Sequence, residues 1–226
     1  MDNIELKWSG KWQNKSFRLF LTSGIILTVG VLICTYHFFA YIESVPDGVV
    51  LNDWLLSRIP SIDVSAPIVC TITSVIVLFL VRSVTNPEMF VTFLIAFLFL
   101  FISRIITIDI TRFKPPVGLI ELKDPIAGIV YKSKFIKRDL FFSGHTAVLF
   151  LFFLCARRKI DKIYMLCAVL IVAPLLLVQH VHYTIDVLCA PLFSTCCYWF
   201  SKKVLSVYGA VEYKSVLKPS KVDYTY

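Results

Sequence analysis

Six long apolar segments, separated by shorter polar stretches, dominate the hydrophobic pattern of the chain. They cover roughly residues 18–41, 65–84, 88–108, 143–157, 163–180 and 182–200. Several approach the roughly 20 residues that an α-helix needs to cross the hydrocarbon core of a bilayer. The apolar residues run continuously instead of alternating, which is typical of helices and not of membrane β-strands. The pattern predicts an all-α integral membrane protein, a six-transmembrane-helix bundle with antiparallel neighbours.

The overall composition agrees with a membrane protein, since 58% of the 226 residues are hydrophobic and the mean hydropathy is +0.77. The net charge of +8 would suggest nucleic acid as the partner of a soluble protein. The sequence shows no basic stripe interleaved with aromatic residues, however, and basic residues in membrane proteins usually face anionic headgroups. We therefore expect the lipid bilayer, and no nucleic acid, as the partner. The oligomeric state cannot be deduced from the sequence.

The distribution of Lys and Arg predicts how the chain is oriented in the membrane. Basic residues concentrate in the tail 1–17, after the second and fourth apolar segments, and in the tail 205–226. We therefore expect both tails to be cytoplasmic, flanking a membrane domain over residues 18–204. The acidic segment 42–64 would lie outside. The N-terminal tail lacks the features of a cleavable signal peptide.

The segment 109–140 breaks this charge pattern. Six spans place it on the outside, yet it carries seven basic residues: Arg112, Lys114, Lys123, Lys132, Lys134, Lys137 and Arg138. Either a helix boundary is misplaced, or the segment attracts an anion at the extracytoplasmic face.

Chemically competent side chains fall at the same depth, the extracytoplasmic end of the predicted helices. Arg104 lies near the end of the third helix, His145 opens the fourth and His182 opens the sixth. Asp186 follows His182 by four residues, which would place both on one helical face. Ionisable residues at membrane depth are costly and are functional by default. Their shared depth therefore indicates a candidate active site facing the periplasm, lumen or exterior.

These residue types suit a reaction at a phosphate ester. A neutral histidine can attack phosphorus, while a second protonates the leaving oxygen and then deprotonates the acceptor. A carboxylate can fix the imidazole tautomer. An arginine and the backbone amides at a helix start, here at Ser143 and Gly144, can stabilise the phosphate oxygens. Ser143 alone would be read as a helix N-cap, and His145 alone as an interfacial polar residue; their coincidence favours catalysis.

The remaining histidines and the cysteines do not indicate a second site. We expect His37 to pack within the first helix, whereas His180 either packs or supports its neighbour His182. The seven cysteines all lie in apolar segments, without the spacing of a zinc site. The sequence therefore predicts no metal and no cofactor.

Four motifs resemble those of the sphingomyelin synthase family, within the PAP2 (lipid phosphate phosphatase) superfamily. They are "SGHT" at 143–146, "HYTID" at 182–186, "VPDGVVLNDWLLSRIPSID" at 45–63 and "SRIITIDITRFKPP" at 103–116. The resemblance covers roughly residues 45–190. It implies six spans and an extracytoplasmic triad of His145, His182 and Asp186, without a metal. His182 would be the nucleophile and His145 the acid and base. Apart from the resemblance, we expect Tyr183 to contact the substrate.

The family resemblance also implies an activity, the transfer of a phosphoalcohol headgroup from a phospholipid donor to a lipid alcohol acceptor such as ceramide. The broader phosphatases place an arginine at the position of Leu176, and an Arg-Pro where this chain has Lys114 and Pro115. Val181 stands where the synthases often have an acidic residue, which leaves choline recognition open. Phosphate binding must therefore rely on other cations, for which the candidates are Arg104 first, then Lys114, Lys137 and Arg138.

Leu176 and the "HYTID" motif favour a lipid phosphotransferase that works through a phosphohistidine. A lipid phosphate phosphatase with water as acceptor is the alternative. A non-catalytic lipid-binding or scramblase-like protein is less favoured, because the polar residues stop at one end of the spans and do not continue across the bilayer. The sequence does not identify the donor headgroup.

Overall fold

The protein is described by a computed structural model over residues 8–123 and 135–216, with side chains up to residue 209. The described helices are Trp8–Trp12 (α1), Lys15–Ser44 (α2), Ser65–Ser83 (α3), Pro87–Thr111 (α4), Gly144–Cys155 (α5), Lys159–Val178 (α6) and Thr184–Val216 (α7). A single 3-10 turn covers Leu56–Arg58. In these ranges the β-type backbone pairing is limited to an isolated bridge between Val49 and Phe113.

Each of the six predicted apolar segments forms a helix, from α2 to α7. Four of these helices, α2, α3, α4 and α6, are long and apolar enough to cross a membrane. Helix α5 has only 12 residues, and α7 is not among the four. The structure thus supports an all-α membrane protein, while the predicted count of six spans is not reached by this measure.

Local sequence signals determine where the helices begin and end. Asn14 caps α2, its side chain accepting hydrogen bonds from Ser16 N and Phe17 N. Pro87 opens α4, where its missing N–H costs nothing. The same helix ends at Thr111, and its C-cap residue Arg112 adopts the left-handed conformation with φ of 45°.

Helix α5 lies in the interior of the bundle, in contact with α3, α4, α6 and α7. Ala147, Leu149 and Leu151 have no exposed surface, and Ser194 Oγ of α7 donates to Ala147 O at 2.9 Å. Burial on several sides fixes the position of a short helix. The "SGHT" motif at its start is therefore held by the core of the bundle.

Ion pairs hold the end of the bundle where α3 ends and α6 begins. Arg82 contacts Asp161 through two nitrogen atoms, at 2.8 and 3.0 Å. Glu88 accepts from both Lys11, at 3.0 Å, and Arg157, at 2.5 Å. These contacts join α1, α3, α4 and α6 at the end of the bundle opposite the "SGHT" and "HYTID" motifs.

The opposite end of the bundle, the site end, is covered by residues 45–64, 112–123 and 135–143. Backbone hydrogen bonds join these segments to the α6–α7 turn, from Ile62 N to Val178 O and from Ile120 N to Gln179 O, both at 3.1 Å. The site end therefore consists of loops that are packed together and bonded to the helices.

The predicted tails and part of the basic segment fall outside the described residues. These are residues 1–7, 124–134 with Lys132 and Lys134, and 217–226. The described part of the tail 1–17 contains α1 and the first turn of α2, and that of the tail 205–226 continues α7.

Candidate active site

The "SGHT" motif forms the beginning of α5 at the site end. Ser143 is the N-cap: its side chain accepts from Thr146 N at 3.4 Å, and its hydroxyl lies 3.1 Å from the Thr146 hydroxyl. The structural interpretation of Ser143 is thus confirmed. Gly144 and His145 are the first two residues of the helix, where backbone N–H groups have no partner within the helix and carry partial positive charge.

A backbone hydrogen bond joins the two histidine motifs. Ser143 N donates to Asp186 O at 3.1 Å, so the cap of α5 is fixed to the first turn of α7. His145 is half-buried next to this junction. The main chain itself therefore fixes the position of the "SGHT" motif relative to the "HYTID" motif, about forty residues later in the sequence.

His182 and Asp186 form a buried pair, with 2% and 0% of their side chains exposed. The His182 Nδ1 to Asp186 Oδ2 distance is 3.5 Å. The pair does not share a helical face as predicted, because α7 begins only at Thr184. The chain instead turns at Tyr183, whose N–H donates to Asp186 Oδ2 at 2.9 Å. Asp186 thus caps α7 and faces His182 at once.

The His182 and Asp186 side chains keep unused hydrogen-bonding capacity. Among the described residues, neither His182 Nδ1 nor Asp186 Oδ1 has a hydrogen-bond partner. Buried polar atoms of this kind are rare in native structures and recur at catalytic sites. Catalytic hydrogen bonds are often long before a substrate binds. The pair has the geometry to orient one imidazole with its Nδ1 toward the carboxylate.

Arg104 is buried against the start of α5. Its Nε donates to Phe142 O at 3.1 Å, and its Nη2 pairs with the Asp139 carboxylate. A Cβ added to Gly144 would lie 2.7 Å from the guanidinium carbon of Arg104. The absence of a side chain at Gly144 therefore allows the Arg104 guanidinium to lie against the N-terminus of α5.

The other predicted cations make different contacts. Arg138 is buried and donates to the main chain after α2, reaching Ile42 O at 2.9 Å and Asp47 O at 2.7 Å. Lys137 is exposed and lies 3.4 Å from Glu121. The backbone N–H of Lys114 donates to Val49 O at 2.9 Å. Of the four candidates, Arg104 is the one that the structure sets against Gly144.

Tyr183 has a structural position between the loops. Its side chain is buried, its hydroxyl donates to Lys114 O at 3.0 Å, and it accepts from Leu51 N at 3.3 Å. Its ring packs edge-on against Phe113. These contacts tie the loops of the site end to the turn that carries His182.

Asp53, which the sequence did not single out, caps α7 from the first loop of the site end. Its carboxylate accepts from Thr184 N at 2.6 Å and from the Thr184 hydroxyl at 2.9 Å. Burial works against the charged carboxylate, but hydrogen bonds from Leu56, Thr184 and Leu55 hold the pKa of Asp53 below its usual range. Asp53 thereby holds a carboxylate against Thr184, which precedes Asp186 by two residues.

His180 lies in the same turn and contacts two of the loops that cover the site end. Its backbone is in the left-handed region with φ of 54°. Its Nδ1 lies 2.7 Å from Val117 O and its Nε2 lies 2.9 Å from Ile59 O. The imidazole thus bridges both covering loops, two residues before His182.

Asp53→Ala is expected to lower the free energy of unfolding by about 1 kcal/mol at neutral pH, the usual cost of losing a helix N-cap. Because the folded-state pKa is depressed, this contribution is present above the ordinary pKa of about 3.9 and is lost as the pH falls through the folded value. Thermal unfolding of both proteins between neutral and acidic pH measures this. Equal melting temperatures at neutral pH would contradict the capping role.

The fold and the site together define an α-helical membrane protein with a His, Asp and Arg cluster at one end of its bundle. Residues 138–203 match the family model described as PAP2 superfamily C-terminal. The match runs through α5 and α6 into α7, includes His145, His182 and Asp186, and supports membership of the PAP2 superfamily. Its members are typically phosphatases or phosphotransferases, and the match does not distinguish the sphingomyelin synthase type.

No curated protein and no solved structure matches the chain. Within residues 8–123 and 135–216, no group of three His, Cys, Asp or Glu side chains is placed to hold a metal ion.

Proposed function

We propose that the protein is a membrane lipid phosphotransferase of the sphingomyelin synthase type. It would move a phosphoalcohol headgroup from a glycerophospholipid to a lipid alcohol, ceramide or a diacylglycerol-like acceptor. The observation that carries the proposal is the buried His182–Asp186 pair, joined to the start of α5 by the Ser143 N to Asp186 O hydrogen bond. The PAP2 match over the same residues supports a lipid phosphoester enzyme.

In the first step, Asp186 holds the proton on His182 Nδ1, which leaves Nε2 as the nucleophile. Nε2 attacks phosphorus and forms a P–N bond while the P–O bond to diacylglycerol breaks. His145 gives its proton to the departing oxygen. Arg104 and the first amides of α5 stabilise the negative charge on the phosphate oxygens.

In the second step, His145 takes the proton of the acceptor hydroxyl, which attacks the phosphohistidine. The P–N bond breaks, a new P–O bond forms, and His182 returns to its neutral form. Asp186 stabilises the cationic imidazole in between. Each proton that leaves His145 is thus recovered from the acceptor, so that the cycle closes without a cofactor.

We also propose six membrane crossings, with both tails in the cytoplasm and the site end facing the periplasm, lumen or exterior. Helices α5 and α7 would be the two crossings added to the four long apolar helices. The end opposite the site carries Lys11, Arg82, Arg157 and Lys162. An excess of basic residues at the cytoplasmic ends of spans supports this orientation.

The second candidate function is a PAP2-type lipid phosphatase with water as the acceptor, which the superfamily match favours equally. Leu176 favours the transferase, since the position where the phosphatases place an arginine is here a fully buried core residue. A non-catalytic lipid-binding or scramblase-like protein is the least favoured reading.

The test uses the purified protein in mixed micelles with phosphatidylcholine, phosphatidylethanolamine, phosphatidylinositol or phosphatidic acid, with and without ceramide or diacylglycerol. Lipid mass spectrometry identifies the products, and the His182→Ala protein is the control. A new headgroup-bearing lipid that depends on the acceptor supports the transferase and identifies its donor. Free phosphate or phosphoalcohol without acceptor dependence supports the phosphatase. The absence of any product overturns both.

A further inference from the structure

Asp139 occupies part of the candidate phosphate site. It lies four residues before the α5 cap, its side chain is 23% exposed, and it pairs with Arg104 Nη2. The other donors of this guanidinium are directed elsewhere, Nε to Phe142 O and Nη1 toward Gly144. An anion bound at the start of α5 therefore shares Arg104 with a carboxylate that belongs to the protein.

The charges around Arg104 affect phosphate groups of different charge to different extents. The positive charge of Arg104 is already compensated by the half-buried Asp139, and Asp186 adds a fully buried carboxylate beside His182. Repulsion between Asp139 and a bound phosphate grows in proportion to the charge of that phosphate. A phosphodiester carries one negative charge, whereas a monoester carries nearly two above its second pKa of about 6.

We infer that Asp139 is a specificity-determining residue, which favours donors with a singly charged phosphodiester over dianionic phosphate monoesters. This inference rests on the proposed function and deepens it. It assigns the choice between headgroup transfer and monoester hydrolysis to the residue that shares Arg104. A protein with a neutral residue at this position would offer the monoester an uncompensated guanidinium.

Asp139→Asn tests the inference, because it removes the charge and keeps the shape of the side chain. The measured quantity is the ratio of kcat/KM for phosphatidylcholine to that for phosphatidic acid at about pH 8, above the second pKa of a monoester. We expect the wild type to prefer the diester, and the ratio to fall at least about tenfold in the variant. A purely structural role for Asp139 would misplace Arg104 and slow both donors alike, leaving the ratio unchanged.

Asp109→Asn is the matched control. Asp109 also lies near the site end and also pairs with an arginine, Arg112, at 3.0 Å, but its side chain is 46% exposed. Solvent screens an exposed charge of this kind. The control variant should therefore keep the wild-type ratio, and Asp139→Glu, which retains the charge, should stay closer to the wild type than Asp139→Asn.

Binding of inorganic phosphate provides a readout that does not need turnover. Asp139→Asn should bind the dianion at least about tenfold more tightly than the wild type, measured by ³¹P NMR titration at about pH 8. A wild type that hydrolyses phosphatidic acid as efficiently as phosphatidylcholine overturns the inference, whether or not the variant folds. If Asp139→Asn turns over with the wild-type ratio of kcat/KM values and the wild-type phosphate affinity, the inference is overturned while the proposed function stands. A wild type inactive on every donor overturns the proposed function, and the inference with it.

Discussion

His182→Ala is expected to lower headgroup transfer by roughly 10⁴-fold or more, the usual loss when a nucleophile that acts in a catalytic unit is removed. The variant deletes the atom that would form the P–N bond. It also leaves the Asp186 carboxylate, which has no exposed surface, without the imidazole that faces it at 3.5 Å. The measurement is the initial rate of product formation in mixed micelles, with the donor that the wild type uses best.

Removal of His145 should be nearly as damaging, because the leaving oxygen then departs without a proton and the acceptor is no longer activated. The double variant should be little worse than either single variant, since residues that act as a unit are not additive. His37→Ala is the matched control. The prediction that His37 packs was wrong, because its side chain is exposed on α2, where the ring contacts the adjacent Tyr36. Its loss should leave the rate unchanged. Retained turnover in either active-site variant would exclude the triad mechanism.

Gly144→Ala is expected to lower kcat by about 10²-fold, although it adds a single methyl group. The new Cβ would overlap the Arg104 guanidinium, whose central carbon lies 2.7 Å from its position. Arg104 is held in place by Phe142 O and Asp139, so it has to leave its site to make room. A shift of about 1 Å in a charge-stabilising group costs on this order in rate.

Two measurements separate this effect from a loss of fold. Gly30→Ala is the control, because a Cβ at Gly30 meets no atom within 4 Å and should slightly favour helix α2. The melting temperatures of both variants show whether the bundle is intact. If folded Gly144→Ala protein turned over at the wild-type rate, Arg104 would not need its place beside the helix.

The helices were predictable from the sequence because hydrophobic continuity depends only on neighbouring residues. The same pattern predicted that Arg104, His145 and His182 lie at one end of the bundle, where the structure has them. The position of His182 just outside α7 was not predictable. It depends on the capping of Tyr183 N by Asp186 and of Thr184 N by Asp53, and the second of these contacts joins residues 131 positions apart.

The contacts of the charged side chains were also not predictable from the sequence. Arg138 and Arg104 are both buried arginines near the site end. Only their surroundings show that the first donates to main-chain carbonyls and the second faces α5. Asp139 gave no signal, since a single acidic residue in a basic segment reads as a solvated charge. The partner of a charged side chain can be assigned only from the fold, because contacts between residues distant in sequence produce no periodic pattern along the chain.

The capping of α7 by Asp53 has a consequence for protein engineering. The loop 45–64 covers the site end, and would be a natural piece to exchange between related enzymes. It also supplies the carboxylate for Thr184 and the carbonyl of Ile59 for His180. A chimera that takes this loop from another protein therefore has to take residues 180–184 with it. Grafts that respect this boundary should retain activity, and those that cut across it should not.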